Sequence, residues 1–230
     1  MFKADYHLHS EFSSDCQEPL ERIFNQAVDL GLDGLAVTDH LDVDFPRSDG
    51  TFELDLPHYL EVLGGHRERG WKGLEIRVGL EMGLQPHVAD DIKSVMARPE
   101  LDFVIGSQHC VALTELFDDS FFYGKGKDEA HRVYFEEFYR NLKIFEGISV
   151  LGHLDFFRRY GKPTYGECHN EVAYDAHMDV IDEILRLAVD RGVGLELNTS
   201  AHRLGLGHFH PHPVILERYR DVPRQELESH

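Results

Sequence analysis

Cysteine is scarce in this chain. The three cysteines among 230 residues, Cys16, Cys110 and Cys168, are odd in number and far apart. Neither a disulfide framework nor a CxxC thiolate zinc site follows from them, and reduced thiols suit the cytoplasm. Long apolar runs are also lacking: charged residues break each one well short of the roughly 20 residues a membrane helix needs. The opening Met1-Phe2-Lys3-Ala4-Asp5 has no secretory apolar core, so the expectation is a cytoplasmic protein with no membrane partner. Basic residues are few, with 23 Lys+Arg against 42 Asp+Glu and a formal net charge of −19. That balance argues against a long nucleic acid as partner, because phosphate backbones are bound by clustered Lys and Arg. No P-loop, GxSxG or HExxH occurs, and Gly124-Lys125-Gly126 and Gly205-Leu206-Gly207 are too short for a dinucleotide fingerprint.

What the chain has in excess is histidine, 16 residues beside 42 carboxylates. Neutral imidazole and carboxylate are the ligands of zinc, manganese, iron and cobalt, and bound divalent ions offset negative charge. Length and a hydrophobic share of 42% suit one α/β domain spanning residues 1–230.

Short apolar runs at 4–9, 34–40, 76–82, 103–109, 149–154 and 194–199 alternate with amphipathic stretches, the pattern of βα units. Between the first two runs, Leu20, Ile23, Phe24, Ala27 and Val28 form one helix face, with Pro19 at its start and Gly31 at its end. Further helices are predicted over 57–69, 86–97, 128–145, 176–191 and 213–219, and long loops over 41–56 and 113–127. Tyr134, Phe135, Phe138, Tyr139, Leu142 and Phe145 read as a core-facing helix stripe, and Cys110 as a buried packing residue.

The strand ends carry the chemistry. The runs close on His7-Leu8-His9, Asp39-His40, Glu81, Ser107-Gln108-His109, His153 with Asp155, and Glu196-Leu197-Asn198. In a βα barrel these ends converge on one mouth, where active sites form. His7 and His9, two apart on a strand, point to the same side and suit one ion. Alone such a pair signifies little, but polar, metal-capable residues at six successive strand ends point to a metal site. Arg158, Arg159 and Arg203 follow the fifth and sixth strands, and an arginine fork suits phosphate oxygens.

The stations Asp5-Tyr6-His7-Leu8-His9-Ser10, Thr38-Asp39-His40, Gly79-Leu80-Glu81, Ile105-Gly106-Ser107-Gln108-His109, Gly152-His153-Leu154-Asp155 and Glu196-Leu197-Asn198-Thr199-Ser200 together resemble the PHP family of metal-dependent phosphoesterases, in its histidinol-phosphate phosphatase branch. The resemblance implies an α/β fold, a distorted (β/α)7-type TIM-like barrel, with two to three divalent ions (Zn, Mn, Fe or Co). It implies that His7, His9 and Glu81 hold one ion, that Glu81 bridges to a second held by His109 and His153, and that Asp15 and His40 hold a third. It assigns phosphate contacts to Arg158 and Arg203, with His208 as a third. Asp155 is left with two roles, proton donor to the leaving alcohol or orienter of a ligand.

The chain departs from the family after the sixth strand. The usual seventh strand with its Ser-Asp-Ala-His type motif has no counterpart in 221–230, so the last strand is read as missing or degenerate. His208, His210 and His212 are candidate replacement ligands, and an uncovered sheet edge would favour a homodimer. The expected activity is hydrolysis of L-histidinol phosphate to L-histidinol and phosphate in histidine biosynthesis, with a small phosphorylated molecule as partner. Two alternatives stand beside it: a phosphoesterase acting on nucleotides or short oligonucleotide ends, and a degenerate, non-catalytic metal-binding member. An amidohydrolase-type barrel also opens with HxH, but Ser107-Gln108-His109 stands where that group places a lysine.

Overall fold

Each predicted apolar run seeds a strand; the strand Glu75–Gly83 extends slightly beyond its run, and the other strands are shorter or more divided than theirs. In the computed structural model, residues 1–47 and 49–223 are described, and the chain divides into two compact units, Met1–Gly83 with Val88–Gly106, and Leu84–His87 with Ser107–His230.

In the first unit, β1 (Ala4–Leu8), α1 (Leu20–Asp29), β2 (Gly34–Val37), β3 (His40–Leu41), α2 (Leu56–Arg69), β4 (Glu75–Gly83), α3 (Ala89–Met96) and the start of β5 (Phe103–Ser107) follow one another. β2 lies between β1 and β4, all parallel, with Ala4 opposite Gly34 and Gly34 opposite Glu75. Leu35, Ala36, Val37, Val78 and Leu80 are all fully buried. This continuous apolar character is what parallel strands covered on both faces require. Leu20, Phe24 and Ala27 form the buried stripe of α1, and Gly31, at φ 68°, supplies the left-handed residue after it.

The predicted 34–40 strand is two strands. β2 ends at Val37, and β3 rejoins β4 with His40 opposite Glu81. The side chains around the gap explain the break. Thr38 Oγ1 accepts from the Leu8 amide at 3.2 Å. The buried Tyr59 hydroxyl lies 3.0 Å from the Val37 carbonyl and 2.8 Å from that of Gly79. Side-chain groups thus take over from the ladder, and the backbone turns His40 toward β4.

In the second unit, β6 (Cys110–Val111), β7 (Thr114–Glu115), α4 (Lys127–Ile144), β8 (Val150–Leu151), α5 (Lys162–Tyr165), α6 (Met178–Asp190), β9 (Gly194–Leu195) and α7 (Pro213–Asp221) succeed one another. β8 and β9 are parallel, with Val150 opposite Gly194. β6 and β7 form a hairpin that the sequence patterning missed. Its two linking residues, Ala112 and Leu113, have φ of 48° and 63° without being glycine, so the usual turn signal is absent.

The buried stripe of α4 runs through Ala130, Tyr134, Phe135, Phe138 and Leu142, with Tyr139 half-buried, and α6 buries Val180, Ile181, Ile184, Leu185 and Ala188. Asn141 Nδ2 donates to Gln108 Oε1 at 3.0 Å, while Gln108 Nε2 donates to the Tyr134 carbonyl at 2.9 Å. This pair of bonds anchors the segment that carries His109 to α4. All three cysteines are free thiols, with Cys110 buried. Among the described residues no helix is long and apolar enough to cross a membrane, and no strand follows Leu195. The sequence reading of a missing final motif falls mostly on residues 224–230, outside the described residues.

Candidate metal centre

Four elements of the first unit deliver five of the predicted ligands to one place. His7 lies near the end of β1 and His9 directly after it, β3 begins with His40, β4 carries Glu81, and the loop after β1 brings Asp15 back beside His9. Glu81 is the centre of this cluster. Its carboxylate is only 1% exposed, and Oε2 lies 3.0 Å from His7 Nε2, 3.1 Å from His9 Nε2 and 3.4 Å from His40 Nδ1. On the far side of the His9 ring, Nδ1 lies 3.0 Å from Asp15 Oδ1, and His40 Nε2 lies 3.6 Å from Asp15 Oδ2.

Those separations test whether a divalent cation fits. Two ligands each about 2.1 Å from one ion, at about 90–109° to each other, are themselves roughly 3.0–3.4 Å apart. The imidazole–carboxylate distances around Glu81 fall in that range, and nitrogen with anionic oxygen is the donor set of zinc-like ions. The ligand-capable atoms of His7, His9 and Glu81, and those of His9, Asp15 and His40, each gather within 4.8 Å of one another. A divalent metal therefore suits these residues.

Without an ion, the charges of the cluster lean on one another. Burial works against charging His9, but the Asp15 and Glu81 carboxylates outweigh it and raise its pKa to about 9. Burial likewise opposes ionisation of Asp15, yet hydrogen bonds with His40 and His9 hold its carboxyl far below the usual range. Both shifts express an excess of ligand charge drawn into one place, which a cation relieves.

The loop between His9 and Asp15 is fixed from below by Asp39. This fully buried carboxylate accepts from the Ser10 amide and from the Ser10 hydroxyl, each at 2.6 Å. Burial raises the Asp39 pKa, and the two Ser10 bonds pull against that rise. Asp39 was visible in the sequence only as the neighbour of His40, and nothing in the spacing pairs it with Ser10. Two glycines matter for the same region. A Cβ on Gly79 would stand 2.7 Å from Thr38 Cγ2, and one on Gly83 would stand 1.9 Å from Asp42 Oδ1.

In the second unit His109 and His153 face each other with ring centroids 5.6 Å apart. The Phe156 ring stacks on His153 at 4.3 Å and meets the His109 ring edge-on at 5.4 Å. Glu196 accepts from the His153 amide at 2.6 Å, so the carboxylate at the end of β9 fixes the backbone that presents His153. Arg159 lies over the Phe156 ring at 4.4 Å, and its Nη2 donates to Ser200 Oγ at 2.6 Å. Beside it opens a cleft of about 530 Å³ lined by residues that include Arg159, Tyr160, Lys162, Glu167 and His169.

The remaining predicted residues lie differently. Asp155 is fully buried and saturated. It receives His210 Nδ1 at 2.6 Å, the Tyr174 hydroxyl at 2.6 Å, the His212 amide at 2.9 Å and Arg158 Nη1 at 3.3 Å. Burial opposes its charge, but these partners outweigh burial and lower its pKa. Arg158 is 2% exposed, and its Nη atoms also donate to the carbonyls of Phe209 at 3.1 Å and Leu206 at 3.2 Å. Its charge is thus turned to Asp155 and to the 206–209 backbone, whereas Arg159 lines the cleft. Arg203 and His208 are exposed. His210 is committed to Asp155 and His212 Nδ1 accepts from the Val214 amide at 3.3 Å. Among the described residues none of His208, His210 and His212 joins a group of three ligand-capable side chains.

Parallel βα units with imidazole and carboxylate donors at their strand ends define a metal-binding α/β protein. Residues 5–200 match the family described as "PHP domain", and the chain belongs to that family. It is similar to the histidinol-phosphatase of Lactococcus lactis subsp. lactis (strain IL1403), 33% identical over 200 residues, which make up 86% of this chain and 72% of that protein. A probable histidinol-phosphatase of Clostridium acetobutylicum is 30% identical over 85% of this chain and 72% of its own length. The crystal structure of the Lactococcus lactis histidinol phosphate phosphatase, complexed with zinc, L-histidinol and phosphate, superimposes with a TM-score of 0.85 at 29% identity, covering 96% of this chain and 82% of that one. The likeness carries the expected barrel-type α/β fold.

Proposed function

We propose that this chain is a histidinol-phosphate phosphatase that hydrolyses L-histidinol phosphate to L-histidinol and inorganic phosphate with zinc-class ions. The observation that carries the reading is Glu81, a buried carboxylate with three imidazoles around one oxygen. The family and the similar phosphatases support it.

His7, His9 and Glu81 hold one ion, Asp15 and His40 take part in holding another, and His109 and His153 supply further ligands. A bound divalent ion supplies Lewis acidity, lowering the pKa of a coordinated water toward about 7 and taking up charge on the phosphoryl oxygens. The protein's own part is placement. Asp39 fixes Ser10 and with it the approach of His9, and Glu196 fixes the backbone of His153. Phe156 covers the face of His153, meets His109 edge-on, and restricts water beside both rings. Arg159, held over Phe156, is the arginine we assign to the phosphate; Arg203 and His208, both exposed, serve as outer contacts. The cleft suits a small anionic substrate at Arg159; Lys162 and Glu167, also on its lining, pair with each other at 2.9 Å. Asp155 acts through His210, Arg158 and the 206–212 backbone, as a positioning residue. The active protein works in the cytoplasm.

Phosphate release from a panel of phosphomonoesters tests this reading. Histidinol phosphate is the preferred substrate in the presence of zinc or manganese. A tenfold preference for a nucleotide would move the chain to another phosphoesterase activity. Background rates on the whole panel, from a cooperatively folded and metal-loaded protein, would make it a non-catalytic member.

A further inference from the structure

A second set of metal-capable side chains lies in the second unit and shares no residue with the clusters above. Asp128 and His131 stand three residues apart near the start of α4, so they project from the same side of the helix. His177 precedes α6 in the N-cap position, yet its side chain makes no capping bond. The ligand-capable atoms of Asp128, His131 and His177 lie within 4.8 Å of one another.

The two histidines are buried in an unusual way. His131 is 1% and His177 3% exposed, and none of the four ring nitrogens has a hydrogen-bond partner. Aromatic rings account for their faces: His131 packs on Phe157 at 4.4 Å and His177 lies 5.9 Å from Phe135. The edges, which carry the nitrogens, are left for something else. Buried polar atoms in native folds are normally satisfied, by protein, water or an ion.

The neighbouring cations are occupied elsewhere. Arg132 gives its guanidinium to Asp179 at 2.6 Å and Glu136 at 2.6 Å, and Lys127 Nζ donates to the Cys168 carbonyl at 3.0 Å. Asp128 is thus left facing the two imidazoles, and being exposed it offers an entry path. Burial lowers the pKa of His131 to about 3 and also lowers that of His177. Both rings are therefore neutral at physiological pH, the form in which imidazole ligates metal.

We propose that Asp128, His131 and His177 bind a divalent cation of the zinc class, which clasps the start of α4 to that of α6. Two imidazoles and one carboxylate select a borderline ion over magnesium or calcium, which prefer all-oxygen shells. Three protein ligands leave a fourth tetrahedral position for water. Because Asp128 and His131 belong to α4 and His177 immediately precedes α6, the ion links two helices rather than decorating one.

The test uses the full chain, stripped by chelator and titrated with zinc, with bound zinc counted by elemental analysis after desalting. Glu81→Gln serves as a reference that disturbs the first-unit cluster alone. The wild type binds one zinc more per chain than Asp128→Asn or His177→Gln, or these variants bind that ion at least tenfold more weakly, while Glu81→Gln retains it. Histidine-labelled protein provides a measurement that needs no substitution: zinc shifts the ring signals of His131 and His177, in Glu81→Gln as in wild type. Equal zinc content and affinity in wild type and Asp128→Asn, together with unmoved His131 and His177 signals at saturating zinc, would overturn the proposal. Should His177→Gln fail to fold, the exposed Asp128→Asn and the ring signals decide. Loss of histidinol phosphate turnover does not bear on the result, so the site stands or falls apart from the proposed activity.

Discussion

Asp155 Oδ1 and His210 Nδ1 lie 2.6 Å apart with both residues fully buried. The carboxylate makes His210 carry its proton on Nδ1, which leaves Nε2 to accept from Arg159 Nε at 3.4 Å. One buried pair thereby connects the segment after β8, the loop 206–212 and the arginine that lines the cleft.

Asp155→Asn therefore disturbs several partners at once. Breaking a buried charged network by removing one member typically costs about 3–5 kcal/mol, and this loss is expected in urea unfolding. His210→Ala should cost a similar amount, and the double variant less than the sum, because both act on one interaction. If Asp155 instead served only as proton donor to the leaving alcohol, Asp155→Asn would lower kcat at unchanged stability. That outcome would remove the positioning role assigned here.

Glu81→Gln keeps the shape of the side chain and removes its charge. The three imidazoles then lose the oxygen anion they share, so ion affinity and turnover fall together. Losses on the order of 10²-fold in phosphate release are expected, as when a key electrostatic group is removed from a reaction site. Chelation of the wild type should lower its melting temperature and its activity, and added zinc should restore both, since a ligand bound only to the folded state stabilises it. A Glu81→Gln protein with full zinc content and full turnover would detach Glu81 from the metal centre.

Gly79→Ala probes how closely the backbone is packed behind the cluster. The added methyl meets Thr38 Cγ2 at 2.7 Å and the carbonyls of Phe103 and Val37 at 3.0 Å. Backbone cannot yield as a flexible side chain does, so a loss of about 1–3 kcal/mol is expected from overpacking. Gly83→Ala acts on Asp42 instead, whose Oδ2 lies 3.6 Å from His40 Nδ1, because the added methyl occupies the space of Asp42 Oδ1. Thermal unfolding of both, with zinc titration of the second, separates a stability defect from a binding defect.

Much of this arrangement is legible in the sequence because strand ends announce themselves. An apolar run that stops at His7 and His9, or at Glu81, marks both a parallel strand and a polar end. The parts that stayed hidden depend on contacts remote in the chain. Nothing local shows that Asp39 holds Ser10, 29 residues away, or that Asp155 holds His210, 55 residues away. The β6–β7 hairpin lacks glycine at its turn, so composition did not reveal it. Arg158 and Arg159 look alike in sequence. Only their directions on the 3-10 turn Phe156–Arg159 separate the buried one from the one that lines the cleft.

The last helix is held by an ion pair whose pH dependence can be read directly. Arg218 Nε and Nη2 donate to Asp182 Oδ1 and Oδ2 at 2.5 Å each, a two-pronged contact between α7 and α6. The hydrogen bonds from Arg218 lower the Asp182 pKa below its ordinary 3.8. A depressed acid contributes its stability above the unfolded-state value and loses it as pH falls through the lower, folded-state value. At pH 7 Arg218→Ala should therefore unfold at lower urea than wild type. The difference should be modest, because the arginine is 47% exposed and water and salt screen it. The gap should begin to narrow below about pH 4, where the unfolded chain takes up the proton, and close once pH falls through the lower folded-state value. It should also shrink at 1 M salt, where the screening length is about 3 Å. A gap that persists unchanged at pH 2 would assign the effect of Arg218 to the packing of its aliphatic stem on α6 rather than to its charge.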